Sequence, residues 1–421
     1  MTFDLDRLLR RRFRYLLFLF LGGAPFAYVA VYKFFAQPRK FKGDFYAAMY
    51  DPSWWDGTGL FYGPLFVFER WFVNDFPGFA TVGFFSVQVL VLIVATLFIA
   101  LKTVHADKSF VIFGLFVWCF NSYFYYSYSV AANPEMLELF FLIVMWWAIT
   151  RKFIMTAHIF FALAVITKIV PVILLPVLLF NFNPYGLLVI AFILIVSTIL
   201  VSIGQNENLF SILKDLVPPS VDPQPQSEQF LGLSSAMSRL TGSFSTADFR
   251  YIVFFSMVTI VAIYILVVFV GYRFHKIFGS SKNEASVAYG FSILICLLPL
   301  MHINNTHRHT FLFLAPIWIA LRFICQNDTN TKRSRIFSRI FTGYFIAYSL
   351  LPIYFLDIFP VPKLLGVHLG ETSFSYVMLS EPIWINLALL ATIIYYGLRM
   401  IRDNSELSIK MFNQVSEKSD R

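Results

Sequence analysis

Runs of roughly twenty consecutive apolar residues recur along the whole chain, and this repetition constrains the fold more than any single motif. As an α-helix, such a run matches the hydrocarbon thickness of a bilayer, about 30 Å. The runs fall at 15–36, 79–101, 109–128, 135–150, 153–167, 170–181, 185–203, 251–272, 285–301, 310–325, 337–356 and 380–399. Of the 421 residues 58% are hydrophobic and only 14% charged, with a mean hydropathy of +0.70. A water-soluble domain could neither bury that much apolar surface nor cover it with so few charges. Backbone groups find no water in lipid, so each run must satisfy its own hydrogen bonds as a helix. The chain therefore reads as an all-α polytopic membrane protein, a single transmembrane domain over 1–421 with about 12 transmembrane helices.

Charge sets the orientation. Arg7, Arg10, Arg11, Arg12 and Arg14 precede the first span, which places the N-terminus in the cytoplasm. Counting spans from there, about two-thirds of the 33 Lys and Arg fall on the cytoplasmic side, whereas most of the 24 acids fall outside. Arg151-Lys152, Arg273, Lys276, Lys282, the run Lys332-Arg333-Ser334-Arg335, Arg399 and Arg402 all belong to the cytoplasmic set. The net charge of +9 is thus a topology signal and not a nucleic-acid surface. The stretch 153–181 is interrupted by Lys168 and Pro171. One span there would put the basic runs 273–282 and 332–335 outside, so the sequence predicts two short helices with Thr167–Pro171 turning at the outer surface.

Two outer loops are long. Residues 37–78 carry an acidic and aromatic cluster and an amphipathic segment with Phe66, Phe68, Trp71 and Phe72 opposed to Glu69 and Arg70. Residues 204–250 begin Pro-rich, and their second half reads as a short helix. The segment 403–421 is a polar cytoplasmic tail. Cys119, Cys296 and Cys325 lie in or at the ends of apolar spans without ligand spacing, as small hydrophobes do. The first span lacks a small-residue cleavage site and reads as an anchor.

Ionisable groups gather on the outer face. The first loop holds Lys42-Gly43-Asp44-Phe45-Tyr46, then Asp51, Trp54, Trp55, Asp56 and Tyr62. Asn133-Pro134-Glu135 opens the fourth span, with Glu138 one turn further in; Lys168 lies in the short-helix turn, and His302, His307, Arg308 and His309 precede a late span. Each has an ordinary explanation. Asp44 can be a solvated loop charge or a cap, Glu135 a first-turn acid facing the helix dipole, and Lys168 a snorkelling anchor. His307-Arg308-His309 can be an interfacial anchor, Asp51 and Asp56 turn residues, and the Trp pair a headgroup belt. The functional case rests on an acid, a Lys and an Arg/His group recurring on one face. No HExxH, GxSxG, Walker loop or dinucleotide fingerprint occurs, nor carboxylates at metal-ligand spacing.

The chain resembles the GT-C superfamily of integral membrane glycosyltransferases, and within it glycosyltransferase family 87, the polyprenol-phosphate-mannose-dependent mannosyltransferases. The resemblance rests on Gly43-Asp44-Phe45-Tyr46, on Leu60-Phe61-Tyr62-Gly63-Pro64-Leu65-Phe66, on Lys168-Ile169-Val170-Pro171 and on the His-rich loop before a late span. The sequence departs from the family pattern at Gly63-Pro64, where Pro-Pro is usual, and at Glu135, where Asn or Gln is expected. The resemblance implies GT-C architecture and inverting transfer of a sugar, mannose in that family, from a polyprenyl-phosphate donor to a glycolipid or glycan acceptor. It implies Asp44 as catalytic base, Lys168, Arg308, His307 and His309 around the donor phosphate, and Tyr46, Trp55, Tyr62 and Glu135 as substrate contacts. It calls for no metal and no cofactor, and for a multi-pass protein of the bacterial plasma membrane working on the periplasmic or exterior face, or of the endoplasmic reticulum membrane in a eukaryote.

Two other classes fit a polytopic chain. A secondary transporter or lipid flippase would place broken helices and ionisable groups near the midplane with repeat symmetry, whereas here the charges crowd one surface and no internal repeat is evident. A non-catalytic assembly or anchoring protein would leave the recurrence of Asp44, Lys168 and Arg308 on one face as coincidence.

Overall fold

The computed structural model describes residues 135–168, 170–180, 183–205, 208, 233, 237, 246–279, 283–297, 300, 317–350 and 381–419. Among these, the regular structure is entirely helical. Helix α1 spans Glu135–Thr150 and α2 Ile154–Thr167; a 3-10 turn at Val170–Leu174 leads into α3, Leu175–Phe180. Then follow α4 (Pro184–Gln205), α5 (Thr246–Phe278), α6 (Asn283–Ile295), α7 (Ile317–Gln326), α8 (Thr331–Leu350) and α9 (Glu381–Ser419). Between α4 and α5, Leu233 and Met237 are helical too. Among the described residues, three segments are long and apolar enough to cross a bilayer: Pro184–Ile203, Tyr251–Phe278 and Ile383–Asn404. By length and composition these helices support a helical membrane protein. The expected spans between 15 and 128 lie outside the described residues.

The helices fall into two compact units, the first holding α1 to α4 with the start of α7 and the end of α8. In this unit α1 and α2 form a hairpin closed by Arg151–Phe153. The Phe153 amide donates to the Ala148 carbonyl (2.8 Å) and the Lys152 amide to that of Ile149 (3.0 Å), which is the pairing of a Schellman motif. Lys152 sits at the left-handed position with φ of 61°, where glycine is usual. Phe153 then folds back on Trp147, ring centroids 5.8 Å apart, giving the apolar contact that accompanies this cap. At 16 and 14 residues the two helices are about 24 and 21 Å long, short of a full hydrocarbon crossing.

The interruption expected at Lys168 is present. Helix α2 ends at Thr167, Lys168 is extended (φ −157°, ψ 138°), and Val170–Leu174 forms a 3-10 turn. Pro171 explains the break, because it has no N–H to donate to the Thr167 carbonyl in a continuous α-helix and its ring would clash with that carbonyl. The 3-10 turn and α3 together cover about 19 Å, too little to span alone. On its other face α2 meets α4, where Gly186 lies against the His158 ring. A Cβ on Gly186 would come within 2.4 Å of that ring, so only glycine permits this approach.

The second unit holds α5, α6, most of α7 and α8, and α9. Phe274 of α5 stacks on Tyr289 of α6 at 4.2 Å, and the Tyr289 hydroxyl donates to the Ile393 carbonyl of α9 (3.2 Å). Gly397 gives that ring its room, since a Cβ there would fall on the phenol oxygen. The Asn386 side-chain amide donates to the Cys296 carbonyl, tying α9 to the end of α6. Helix α5 leaves Phe254, Phe255, Val258, Val261, Ile265 and Phe269 exposed, the bulky surface expected where the solvent is lipid.

Candidate functional site

The first concentration of buried charge is at the open end of the α1–α2 hairpin. Phe141 and Phe160 are in contact across it, centroids 5.9 Å apart, which sets the register of the two helices. From that pair Glu135 lies six residues back along α1 and Lys168 eight residues on, just past the end of the antiparallel α2, so both stand about 9–12 Å further toward the same end. Glu138 is fully buried, and Lys168 is only 3% exposed. The Lys168 amide donates to the Ala164 carbonyl (3.1 Å), the last bond of α2. Arg151 and Lys152, both exposed, mark the opposite end. Basic residues thus cap one end of the hairpin, while the buried Glu138 and Lys168 belong to the other.

Further along α2, His158 is buried. Its Nδ1 lies 2.7 Å from the Ile154 carbonyl, which can only accept, so Nδ1 carries the proton. Nε2 has no hydrogen-bond partner. With Gly186 against the ring, the imidazole is wedged between two helices.

Among the described residues, the most highly connected polar cluster is in the second unit. Asn330 caps α8: its side-chain oxygen accepts from the Arg333 amide (3.0 Å) and its carbonyl from the Ser334 amide (2.9 Å). The cap fixes Asp328 and Arg333 face to face. Arg333 Nε donates to Asp328 Oδ2 (2.7 Å) and Nη2 to Oδ1 (2.6 Å), a bidentate pair. The Tyr396 hydroxyl donates to Oδ2 (2.9 Å) and the Asn330 amide to Oδ1 (3.0 Å). Arg333 Nη1 also reaches Asp403. Burial pushes the Asp328 carboxyl pKa up, but hydrogen bonds from Arg333, Asn330 and Tyr396 outweigh it, and the net value lies below the ordinary one. The Arg333 guanidinium is held above its ordinary value, first by its hydrogen bond to Asp328 and against the effect of burial. Beside this cluster is an open cleft of about 280 Å³ lined by Lys332, Arg333, Ile336, Tyr395, Arg399 and Asp403, among others.

Of the residues the sequence singles out, Lys168 is thus buried at a helix break and Glu135 begins α1 at the same end of the hairpin. Asp44, Tyr46, Trp55, Tyr62, His307, Arg308 and His309 lie outside the described residues, as does the Glu135 side chain. Among the described residues no three His, Cys, Asp or Glu side chains converge as metal ligands do. Sequence reasoning missed the Asp328 cluster, having taken Lys332–Arg335 only as a topology signal. One local cue existed: Asp-Thr-Asn directly before a basic helix start is a capping pattern. Its other partners, Tyr396 and Asp403, are 68 and 75 positions from Asp328 and give no local signal. No known protein-family model matches the chain, and no curated protein sequence matches it significantly.

Proposed function

We propose that the protein is an inverting membrane glycosyltransferase of GT-C type, with about twelve spans. It would move a sugar, mannose by resemblance, from a polyprenyl-phosphate donor to a lipid or glycan acceptor on the non-cytoplasmic face. The observation that carries the reading is Lys168: a lysine only 3% exposed, at a helix break, at the same end of a hairpin as Glu135 and Glu138. A charge so deep in an apolar chain is costly, and in membrane proteins such groups mark substrate paths.

In the reaction, Asp44 takes the proton of the acceptor hydroxyl as that oxygen attacks the anomeric carbon. The bond from that carbon to the donor phosphate oxygen breaks, and the lipid leaves as a phosphate monoester with more negative charge than it had. Lys168, Arg308 and His307 or His309 meet the growing charge, and such contacts lower the barrier because they strengthen toward the transition state. Tyr46, Trp55, Tyr62 and Glu135 hold the sugar and the acceptor. The phosphate monoester departs without a general acid.

The experiment is reconstitution of the purified chain in lipid with polyprenyl-phosphate sugars and candidate acceptors, reading glycolipid product. Asp44→Asn should lower transfer by about two orders of magnitude or more with the protein still monodisperse. A transporter or flippase is the second reading, favoured by the short broken segment Val170–Phe180, since discontinuous helices also line transport sites. Movement of the sugar lipid across the bilayer with no glycosidic product would decide for it.

A further inference from the structure

The cleft between the start of α8 and the later part of α9 has no part in the proposed transfer, yet its chemistry is specific. Three of its lining residues are cationic: Lys332, Arg333 and Arg399. Arg333 is already committed, to Asp328 by two hydrogen bonds and to Asp403 by an ion pair. Lys332 and Arg399 have no acidic partner among the described residues. Arg399 is held in place: its Nε donates to the Tyr395 hydroxyl (2.8 Å) and its guanidinium lies over the Tyr395 ring, 5.4 Å from the centroid. The cleft therefore presents one preorganised guanidinium and one ammonium beside an acid already engaged by another cation.

Its depth identifies the occupant. The apolar run of α9 ends at Arg399, and Arg399, Arg402 and Asp403 are the charged residues that close the segment Ile383–Asn404. Charges at the end of an apolar span belong at the level of phospholipid headgroups. The surroundings change accordingly: Ile336, Ile340, Tyr395 and Leu398 are all exposed and flank the cationic pair with apolar surface. Cations at the end of a span with apolar walls beside them match a phosphate joined to acyl chains.

We infer that this cleft binds the phosphate of an anionic phospholipid, with Lys332 and Arg399 contacting the phosphate oxygens and Tyr395 orienting Arg399. The shared chemistry is a phosphate anion, and depth together with apolar flanks assigns it to a lipid headgroup. This inference is independent of the proposed transfer reaction, because it uses the end of the molecule that the basic run 332–335 places in the cytoplasm.

The test uses the full chain in mixed phosphatidylglycerol and phosphatidylcholine bilayers, extracted in mild detergent, with retained lipids counted by mass spectrometry. Wild type should retain phosphatidylglycerol over phosphatidylcholine. Each charge near the surface contributes about fivefold in binding, so Lys332→Gln with Arg399→Gln should lower that preference by about 25-fold. Arg335→Gln with Arg339→Gln removes the same charge from exposed positions of α8 that do not line the cleft, and should retain most of the preference. Equal losses in the two double variants would mean diffuse attraction to a basic surface and would overturn the site. A third arm adds glycerol phosphate or inorganic phosphate to protein in phosphatidylcholine alone. Thermal protection by either equal to that given by phosphatidylglycerol, lost in the cleft variant, would make the ligand a soluble anion and overturn the lipid assignment. Both double variants change only side chains outside the packed core, and a monodisperse elution profile confirms that they fold.

Discussion

Replacing Asp328 with alanine removes the acceptor on which four donors converge, and the size of the loss follows from those contacts. Two come from Arg333, one from the Tyr396 hydroxyl and one from the Asn330 amide. Its side chain is 1% exposed, so water cannot replace it. Removing one partner of a buried ion pair costs about 3–5 kcal/mol, because the remaining charge and donors stay desolvated. Asp403 still faces Arg333, which argues for the lower half of that range. At about 2 °C per kcal/mol, the figure for large domains, the melting temperature should fall by about 6–8 °C. Asp328→Asn keeps the shape but offers an amide where carboxylate oxygens accepted, and should cost about 1–3 kcal/mol. Tyr396→Phe, losing one hydrogen bond to a charged group, belongs in the same range. The assay is size-exclusion thermostability of the detergent-solubilised chain, with the exposed Arg335→Gln as control. The pH dependence gives an independent check. The Asp328 carboxyl is depressed in the folded chain, so its contribution is fully present above the ordinary carboxylate value of about 4 and is lost as pH falls through the lower folded value. Wild type should lose more stability on acidification than Asp328→Asn does. Were Asp328→Ala to melt within a degree or so of Arg335→Gln, Asp403 alone would satisfy Arg333 and the cluster would anchor nothing.

The remaining predictions concern the first unit. Lys168→Ala should lower the maximal transfer rate by roughly 2–4 kcal/mol in barrier with little change in donor affinity; loss of donor binding at unchanged turnover would refute the phosphate role. Gly186→Ala should destabilise by about 1–3 kcal/mol by driving a methyl into the His158 ring, and His158→Ala should recover part of that loss in the double variant. No recovery would place the strain elsewhere along α4. Lys152→Gly should stabilise by about 1 kcal/mol, because glycine adopts positive φ without steric cost; a fall in melting temperature would show that the lysine contributes more at this turn than its backbone costs.

Hydropathy located most of the described helices because the bilayer leaves the backbone no other way to satisfy its hydrogen bonds. The apolar runs at 135–150 and 153–167 coincide with α1 and α2 almost residue for residue. The ends were less legible where helix outlasts apolarity. Helix α5 begins at Thr246 and ends at Phe278 around an expected span of 251–272, and α9 continues to Ser419 through the polar tail. Hydropathy reports hydrocarbon depth, whereas the helical ladder ends where a cap or a breaker stops it. Lys168 was legible because a charge beside a proline interrupts an otherwise apolar run. His158 was not, since its setting depends on Gly186 in another helix, 28 residues away.

The three-residue closure between α1 and α2 bears on how the chain enters the membrane. Neither helix is long enough to be committed to lipid alone, and the first must carry Glu138 and the second Lys168 into an apolar environment. Linked this tightly, the two can partition as one object, each screening part of the other's polar surface during insertion. On the orientation that the charge pattern predicts, Lys152 and Arg151 would together hold this loop on the side of synthesis. On that orientation a glycine at position 152 would relax the turn but remove one of the two charges that oppose inverted insertion.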